Sequence, residues 1–484
     1  MEDLCKRIPL ISKTIFEELD NKSFANFKDA SREINSNLKN ERFYWIRVLR
    51  TYDYLIGDFK ENWAKVVRGT PAEFVEEILV FINQFCNDKY NHAKCLSFSP
   101  HHIVACFGEL DFYKHFVERT SEINPKEPIT ESTPMHFAAI HGKLEVCRFI
   151  ISHLVEKNPR NNYGVTPLHY AANYGYWDIC KLILENVPDM NMNPGNYTPL
   201  HVAAESGHLN IFELFFKNVK NKNPGEKNGY TPLHLAAERG HLDICKFVIV
   251  NIQDKNPGNS YGDTPLHQAA RGGHLDICKL IIENVHNKNP VNNNSRTPLH
   301  AATALGYLDI CKLIIENLQD KNPPDGNGKT PLHVAAALGH LDICKFIIEN
   351  VQNKNPGDTL GGTTPFHLAA EFGNLDICEL IVKNIPDKNP GDFDGDTPLH
   401  LAAENGNMDI FKLIIENMQN MNTGSSQVYA SINSVKGRIY KLISEDIKNN
   451  LGHTPLDLAT EGGHQKICEY ITSFSVEENP ATKD

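Results

Sequence analysis

Apolar and polar positions along most of this chain recur in blocks, and within each block they keep helical spacing. In the block that begins at Thr330, Leu332, Ala335 and Ala336 give a first short helix a narrow apolar face made mostly of small residues. Thr330 is placed to cap this helix through its hydroxyl. Pro331 suits the first position, where its missing donor would be unpaired anyway, and Gly339 ends the helix. In the helix that follows, Asp342, Lys345 and Glu349 form a solvent stripe at spacings of three and four. Leu341, Ile343, Cys344, Phe346, Ile347 and Ile348 fill the rest and need cover. Asn350 stops this helix, and Lys-Asn-Pro-Gly turns the chain into the next block. One such pair cannot bury so wide an apolar face by itself, whereas a stack of pairs can.

The dipeptide Thr-Pro opens these blocks at Thr133, Thr166, Thr198, Thr231, Thr264, Thr297, Thr330, Thr364, Thr397 and Thr454, in steps of 33, 32, 33, 33, 33, 33, 34, 33 and 57 residues. Ser99-Pro100-His101-His102, followed by Gly108-Glu109-Leu110-Asp111, is a worn copy 34 residues before Thr133. The pattern therefore predicts an all-α solenoid of about eleven helix-pair repeats. These repeats are numbered here from Ser99.

The motif Thr-Pro-Leu-His-x-Ala-Ala-x-x-Gly stands nearly intact at Thr231–Gly240 and Thr364–Gly373 and resembles the signature of the ankyrin family. The resemblance covers about residues 99–474, over three quarters of the chain. Repeat seven departs from it with Thr303 in place of the second alanine. The last repeat has Asp457 for histidine and a polar Gln465-Lys466, which suits a terminal cap with a wet outer face. The long step holds 24 extra residues, roughly 423–446. There Ile432, Val435, Ile439 and Leu442 predict a short amphipathic helix with Lys436, Arg438 and Lys441 opposite; it reads as a tolerated surface insertion or as a basic finger that touches a partner.

Before Ser99 the repeat disappears. Pro9, Ile15, Phe16, Leu19, Phe24, Phe27 and Ala30 fall in a pattern that resembles an F-box, a helical module that docks on the Skp-type linker subunit of cullin-RING ubiquitin ligases. The opening is one residue short and lacks its usual acid, and the tryptophan arrives late, at Trp45. Independently of the family name, Ile15, Phe16, Leu19, Phe24 and Phe27 set apolar residues at helical spacing around a turn. That face either meets a partner helix or packs on the helices that follow, around Phe59, Trp63, Val66 and residues 74–85. The expected organisation is an F-box-like module over 1–50, a helical linker over 51–98, the repeats over 99–474 and a flexible tail over 475–484.

Composition narrows the function without naming it. A net charge of −12 argues against a general nucleic-acid binder, which needs a basic face to displace counterions. No apolar run approaches the roughly 18–20 residues of a membrane span. Glu2 and Asp3 open the chain where a secretory leader would be basic and then apolar, so an intracellular reducing compartment, cytoplasmic or nuclear, is expected. Eight cysteines, Cys147, Cys180, Cys245, Cys278, Cys311, Cys344, Cys378 and Cys468, share one place in the repeat. Stacked helices hold such places about 8–10 Å apart, beyond disulfide reach, so they read as buried thiols. The recurring histidines read as braces of the Thr-Pro turn.

Nothing points to catalysis. There is no phosphate-binding glycine loop, no Cys-x-x-Cys and no His-Glu-x-x-His, and Asp392-Phe393-Asp394-Gly395-Asp396 lacks the spacing and closing Glu of a calcium loop. No enzyme activity, cofactor or metal is expected. The expected partner is a protein target on the concave face, formed by the hairpin tips and the two residues before each repeat glycine. At that place Leu305, Leu338 and Phe372 set apolar side chains in three consecutive repeats, and Tyr174 holds the equivalent position earlier. They form one docking stripe or pack among themselves. The hairpin-tip tyrosines Tyr163, Tyr197, Tyr230 and Tyr261 are the second candidate group. The resemblances together imply a substrate-recognition adaptor of an F-box-type ubiquitin ligase. The alternative is a scaffold or inhibitor whose amino-terminal helices only cap the solenoid.

Overall fold

The structure is a computed structural model that describes residues 100–187, 197–422 and 438–475. The F-box-like pattern, the linker and most of the tail lie outside the described residues, as do Ile432, Val435 and Lys436 of the insertion. Every regular element among the described residues is a helix, and the helices come in eleven pairs. The chain divides into two compact units, residues 1–222 and 223–484.

The described part of the first unit holds four pairs. They are α1 (Pro100–Phe107) with α2 (Leu110–Thr120), α3 (Pro134–Ile140) with α4 (Leu144–His153), α5 (Pro167–Asn173) with α6 (Trp177–Asn186), and α7 (Pro199–Ser206) with α8 (Leu209–Asn218). The second unit holds seven. It begins with α9 (Pro232–Arg239) and α10 (Leu242–Asn251), then α11 (Pro265–Gly272) and α12 (Leu275–Asn284), then α13 (Pro298–Ala304) and α14 (Leu308–Glu316). It continues with α15 (Pro331–Leu338) and α16 (Leu341–Asn350), α17 (Pro365–Glu371) and α18 (Leu375–Asn384), α19 (Pro398–Glu404) and α20 (Met408–Asn422), and closes with α21 (Pro455–Glu461) and α22 (Gln465–Thr472).

Burial follows the pattern read from the sequence. In repeat eight, Leu332, Ala335, Ala336, Cys344 and Ile347 are fully buried, while Asp342, Lys345 and Glu349 are exposed. The paired alanines let first helices of neighbouring repeats lie close together. Gly339 adopts φ +78°, the left-handed value that ends a helix at low steric cost for glycine. Two expectations are corrected. Leu341 opens the second helix at the solvent edge and is exposed, and Phe346 is only half-buried; the face that needs cover is narrower than the count of apolar residues implied.

The insertion is corrected in register. Its described end is helical from residue 438 and closes as a π-helix over Leu442–Asp446, in which Ile447 N–H donates to the Leu442 carbonyl at 2.8 Å. The wider turn puts Ile439 and Ile443 in the core and leaves Leu442 half-exposed. Arg438 and Lys441 are exposed. The eight cysteines that share one place in the repeat are free thiols, seven of them buried and Cys468 partly so, and Cys106 of the first repeat is also free and buried. Burial pushes Cys147, Cys245, Cys278 and Cys344 up to about 12, away from thiolate chemistry.

Candidate functional site

The site rests on how each repeat is pinned. In repeat eight the Thr330 N–H donates to His333 Nδ1 at 3.0 Å, with the Thr330 hydroxyl 2.9 Å from the same nitrogen. His333 Nε2 lies 3.0 Å from the Thr363 carbonyl, in the next repeat. A carbonyl only accepts, so Nε2 carries the proton and Nδ1 accepts. Thr330 and His333 form a capping box, the hydroxyl facing the helix N–H at the third position while the ring accepts from the Thr330 N–H. A hydroxyl bond to the helix N–H at the third position is made at Thr364, Thr397 and Thr454, at 3.4, 3.4 and 3.2 Å. The same bridge between repeats is made by His136, His169, His234, His267, His300, His367 and His400. Burial holds His136, His169 and His234 at about 4 and lowers His267, His300, His333, His367 and His400. The histidines are thus structural.

The hairpin tips are pinned by a second device. Asp392 Oδ1 accepts from the Asp394 and Asp396 N–H groups at 3.0 and 2.9 Å, closing a tight turn. Asp325, Asp358, Asn259, Asn292 and Asn449 do the same at their tips. Among the described residues no group of three or more His, Cys, Asp or Glu is placed to hold a metal ion. Among the described residues no helix is long and apolar enough to cross a membrane.

On this frame Leu305, Leu338 and Phe372 are 49%, 54% and 59% exposed. They do not pack among themselves in a core. Leu305 and Phe372 follow α13 and α17 directly, and Leu338 is the last residue of α15. In front of the stripe stands Gly272, where a Cβ would come within 2.5 Å of the Glu238 carbonyl. The approach of the preceding backbone explains why the column carries no side chain there. Behind it comes Asn405. Tyr174, at the equivalent place in the first unit, is also exposed.

The four tyrosines do not form one group. Tyr163 and Tyr261 lie three residues before their threonine and are exposed; Tyr197 and Tyr230 lie directly before theirs. Tyr197 stacks on His201 with ring centroids 5.3 Å apart and donates its hydroxyl to Glu205; Tyr230 meets His234 edge-on and is half-buried. Three apolar tips escaped the sequence reading: Leu360, Phe393 and Leu451 are all well exposed in repeats nine to eleven. The signal was an apolar residue inside a Gly- and Asp-rich turn, at places that shift by one residue between repeats.

Contacts across the hairpin and first helix define the face. Arg271 Nη2 lies 3.0 Å from Asp263 Oδ2, and Tyr197 reaches Glu205, so the residue before the threonine meets the one seven after it. Helix pairs capped by Thr-Pro-Leu-His, stitched by histidine and carrying variable side chains on one face, are built to present a surface. The family model described as Ankyrin repeats (3 copies) matches residues 101–194, 188–259, 248–325, 266–359, 313–392, 351–425 and 385–484. The chain belongs to the ankyrin-repeat family, and such repeats are protein-interaction modules. The curated proteins contain no significant match to it.

Proposed function

We propose that this chain is a non-catalytic recruiting protein that holds a partner segment on the second unit across Leu305, Leu338 and Phe372. The observation that carries the reading is the exposure of three large apolar side chains at one place in consecutive repeats. At roughly 10 Å per repeat the stripe is about 20 Å long, which suits one helix or extended segment. Leu338→Asp and Phe372→Asp should each leave the denaturant midpoint within about 0.5 kcal/mol and weaken partner binding by about 2 kcal/mol. If both variants instead lose several kcal/mol of stability, these side chains support the fold and the site belongs elsewhere, with the exposed tips as the next place to look.

The finer reading makes the chain a substrate-recognition adaptor of a cullin-RING ubiquitin ligase. Its support is the F-box-like pattern of Pro9, Ile15, Phe16, Leu19, Phe24 and Phe27. Such an adaptor contributes proximity, bringing a target lysine within reach of a ligase-bound donor. Purified chain should bind a Skp-type linker subunit at micromolar concentration, and Ile15→Asp with Leu19→Asp should abolish this while the helical signal of the repeats is kept. Absence of wild-type binding leaves the plain scaffold or inhibitor, with the stripe unchanged.

A further inference from the structure

The face that carries the stripe is electrically lopsided. In repeats seven and eight Ala304 and Ala337 occupy the place that Glu371, Glu404 and Glu461 hold later, and Arg296 and Lys329 precede the threonines opposite them. Arg296 is paired with Asp325 at 3.3 Å, and from repeat nine onward the charge on these segments is of one sign. Residues 358–373, 389–406 and 449–463, which form the tips and first helices of the last three repeats, contain eight Asp or Glu and no Lys or Arg. Glu404 and Glu461 are exposed, and Glu371 and Asp396 half-exposed. Asp396 and Glu404 stand in the two places shown to touch by Arg271 and Asp263. Four of these acids have other duties: Asp358, Asp392 and Asp457 brace turns and Asp396 accepts from Asn449 Nδ2 at 2.9 Å. Of the other four, Asp394 lies exposed at a hairpin tip, and Glu371, Glu404 and Glu461 stand as negative charge beside and beyond Phe372.

We propose that the segment held on the stripe is apolar at one end and cationic at the other, with its Lys or Arg side chains over Glu371, Glu404 and Glu461. This rests on the reading of Leu305, Leu338 and Phe372 as a docking surface and adds the chemistry of the partner. The argument is charge complementarity. An apolar segment that continued past Phe372 with acids would meet like charges over two further repeats, whereas lysines would meet their opposites on a surface already one-signed. A neutral tail would leave the acidic end without a use in binding.

The probe is a fluorescein-labelled synthetic peptide of about 20 residues, ~30 Å as a helix, with Leu and Phe in one half and Lys in the other. A second peptide has Glu in place of every Lys. Binding to the full chain is followed by anisotropy at about 0.05 and 0.5 M salt, where screening differs strongly. The lysine peptide should bind at least about tenfold more tightly than the glutamate peptide. Glu371→Lys with Glu404→Lys should weaken it about tenfold or more, and Glu461→Lys severalfold. The control with the same change in net charge is Asp342→Lys with Glu349→Lys, on the exposed side of α16, which should stay within about twofold. If the two double variants weaken the lysine peptide equally, the attraction is only to the net charge of the protein and the proposal falls. It falls also if neither peptide binds. Leu338→Asp with Phe372→Asp separates the two readings. Loss of binding there, with no effect of Glu371→Lys and Glu404→Lys, keeps the stripe and removes the cationic end; the reverse removes the stripe.

Discussion

His333 joins two chain segments with one ring: Thr330, which opens its own helix, through the N–H and the hydroxyl, and Thr363 of the following hairpin through the carbonyl. Removing the ring leaves the buried Thr330 N–H and the half-buried Thr363 carbonyl without this partner. His333→Ala should therefore cost about 3 kcal/mol, read as a shift in the urea midpoint. The last repeat supports the same reading from the other side. There an acceptor alone stands in for the ring: Asp457 Oδ2 takes the Thr454 N–H and hydroxyl, both at 2.8 Å, and these bonds lower its pKa. Gln268 shows what happens when a polar residue enters an apolar column. Its neighbours in the repeat are Leu235, Ala301 and Val334, and its Nε2 is buried without a partner, although its Oε1 accepts from Arg271. Arg271 also has Asp263 and solvent, so Gln268→Leu should raise stability by about 1 kcal/mol. An unchanged or lower melting midpoint would show that the Arg271 bond outweighs the stranded donor.

At the scale of the helix, the paired alanines decide how closely repeats approach. Ala335 is fully buried on α15, so Ala335→Leu should overpack the junction and cost about 1–3 kcal/mol. A variant with an unchanged denaturant midpoint would place α15 on the wrong face. The elements themselves were legible because each carries its own boundary chemistry: threonine and proline at the start, glycine at the end, and apolar residues at spacings of three and four. What was not legible is where a helix meets solvent at its first turn. Leu341 carries the same side chain as buried Leu332, and only the stack determines that one is covered and the other is not. The π-helical end of the insertion escaped for a related reason. A period of 3.6 assigns Leu442 to the core, and a wider turn hands the place to Ile443. The stripe was legible as three apolar residues at one repeat place. The lopsided charge beside it was not, because the residue before each threonine and the one seven later are neighbours only in space, as Arg271 and Asp263 show.

At the scale of the whole chain, the repetition multiplies small terms, and the histidines give this a measurable sign. In the unfolded chain each of these rings protonates near 6.5, whereas in the folded repeats burial keeps His136, His169 and His234 neutral down to about 4 and lowers His267, His300, His333, His367 and His400 as well. A depressed histidine favours the folded state fully above the unfolded value. As the pH falls through that value the unfolded chain binds protons that the folded chain refuses. Stability then declines by about 1.4 kcal/mol per pH unit for each such ring until the folded value is reached. At pH 5 the three rings held at about 4 would each have withdrawn about 2 kcal/mol. Asp263 and Asp457 are lowered from 3.8, so what they contribute is lost only below that window and cannot offset the change. The urea midpoint of the repeats should accordingly be flat above pH 7 and fall steeply and continuously between pH 6.5 and 4.5. His234→Gln, which removes one titrating ring, should start lower at pH 7 and fall less steeply. A midpoint that stays level from pH 7 to 5 would mean that the folded repeats accept protons as readily as the unfolded chain, and burial could not then be what holds these rings neutral.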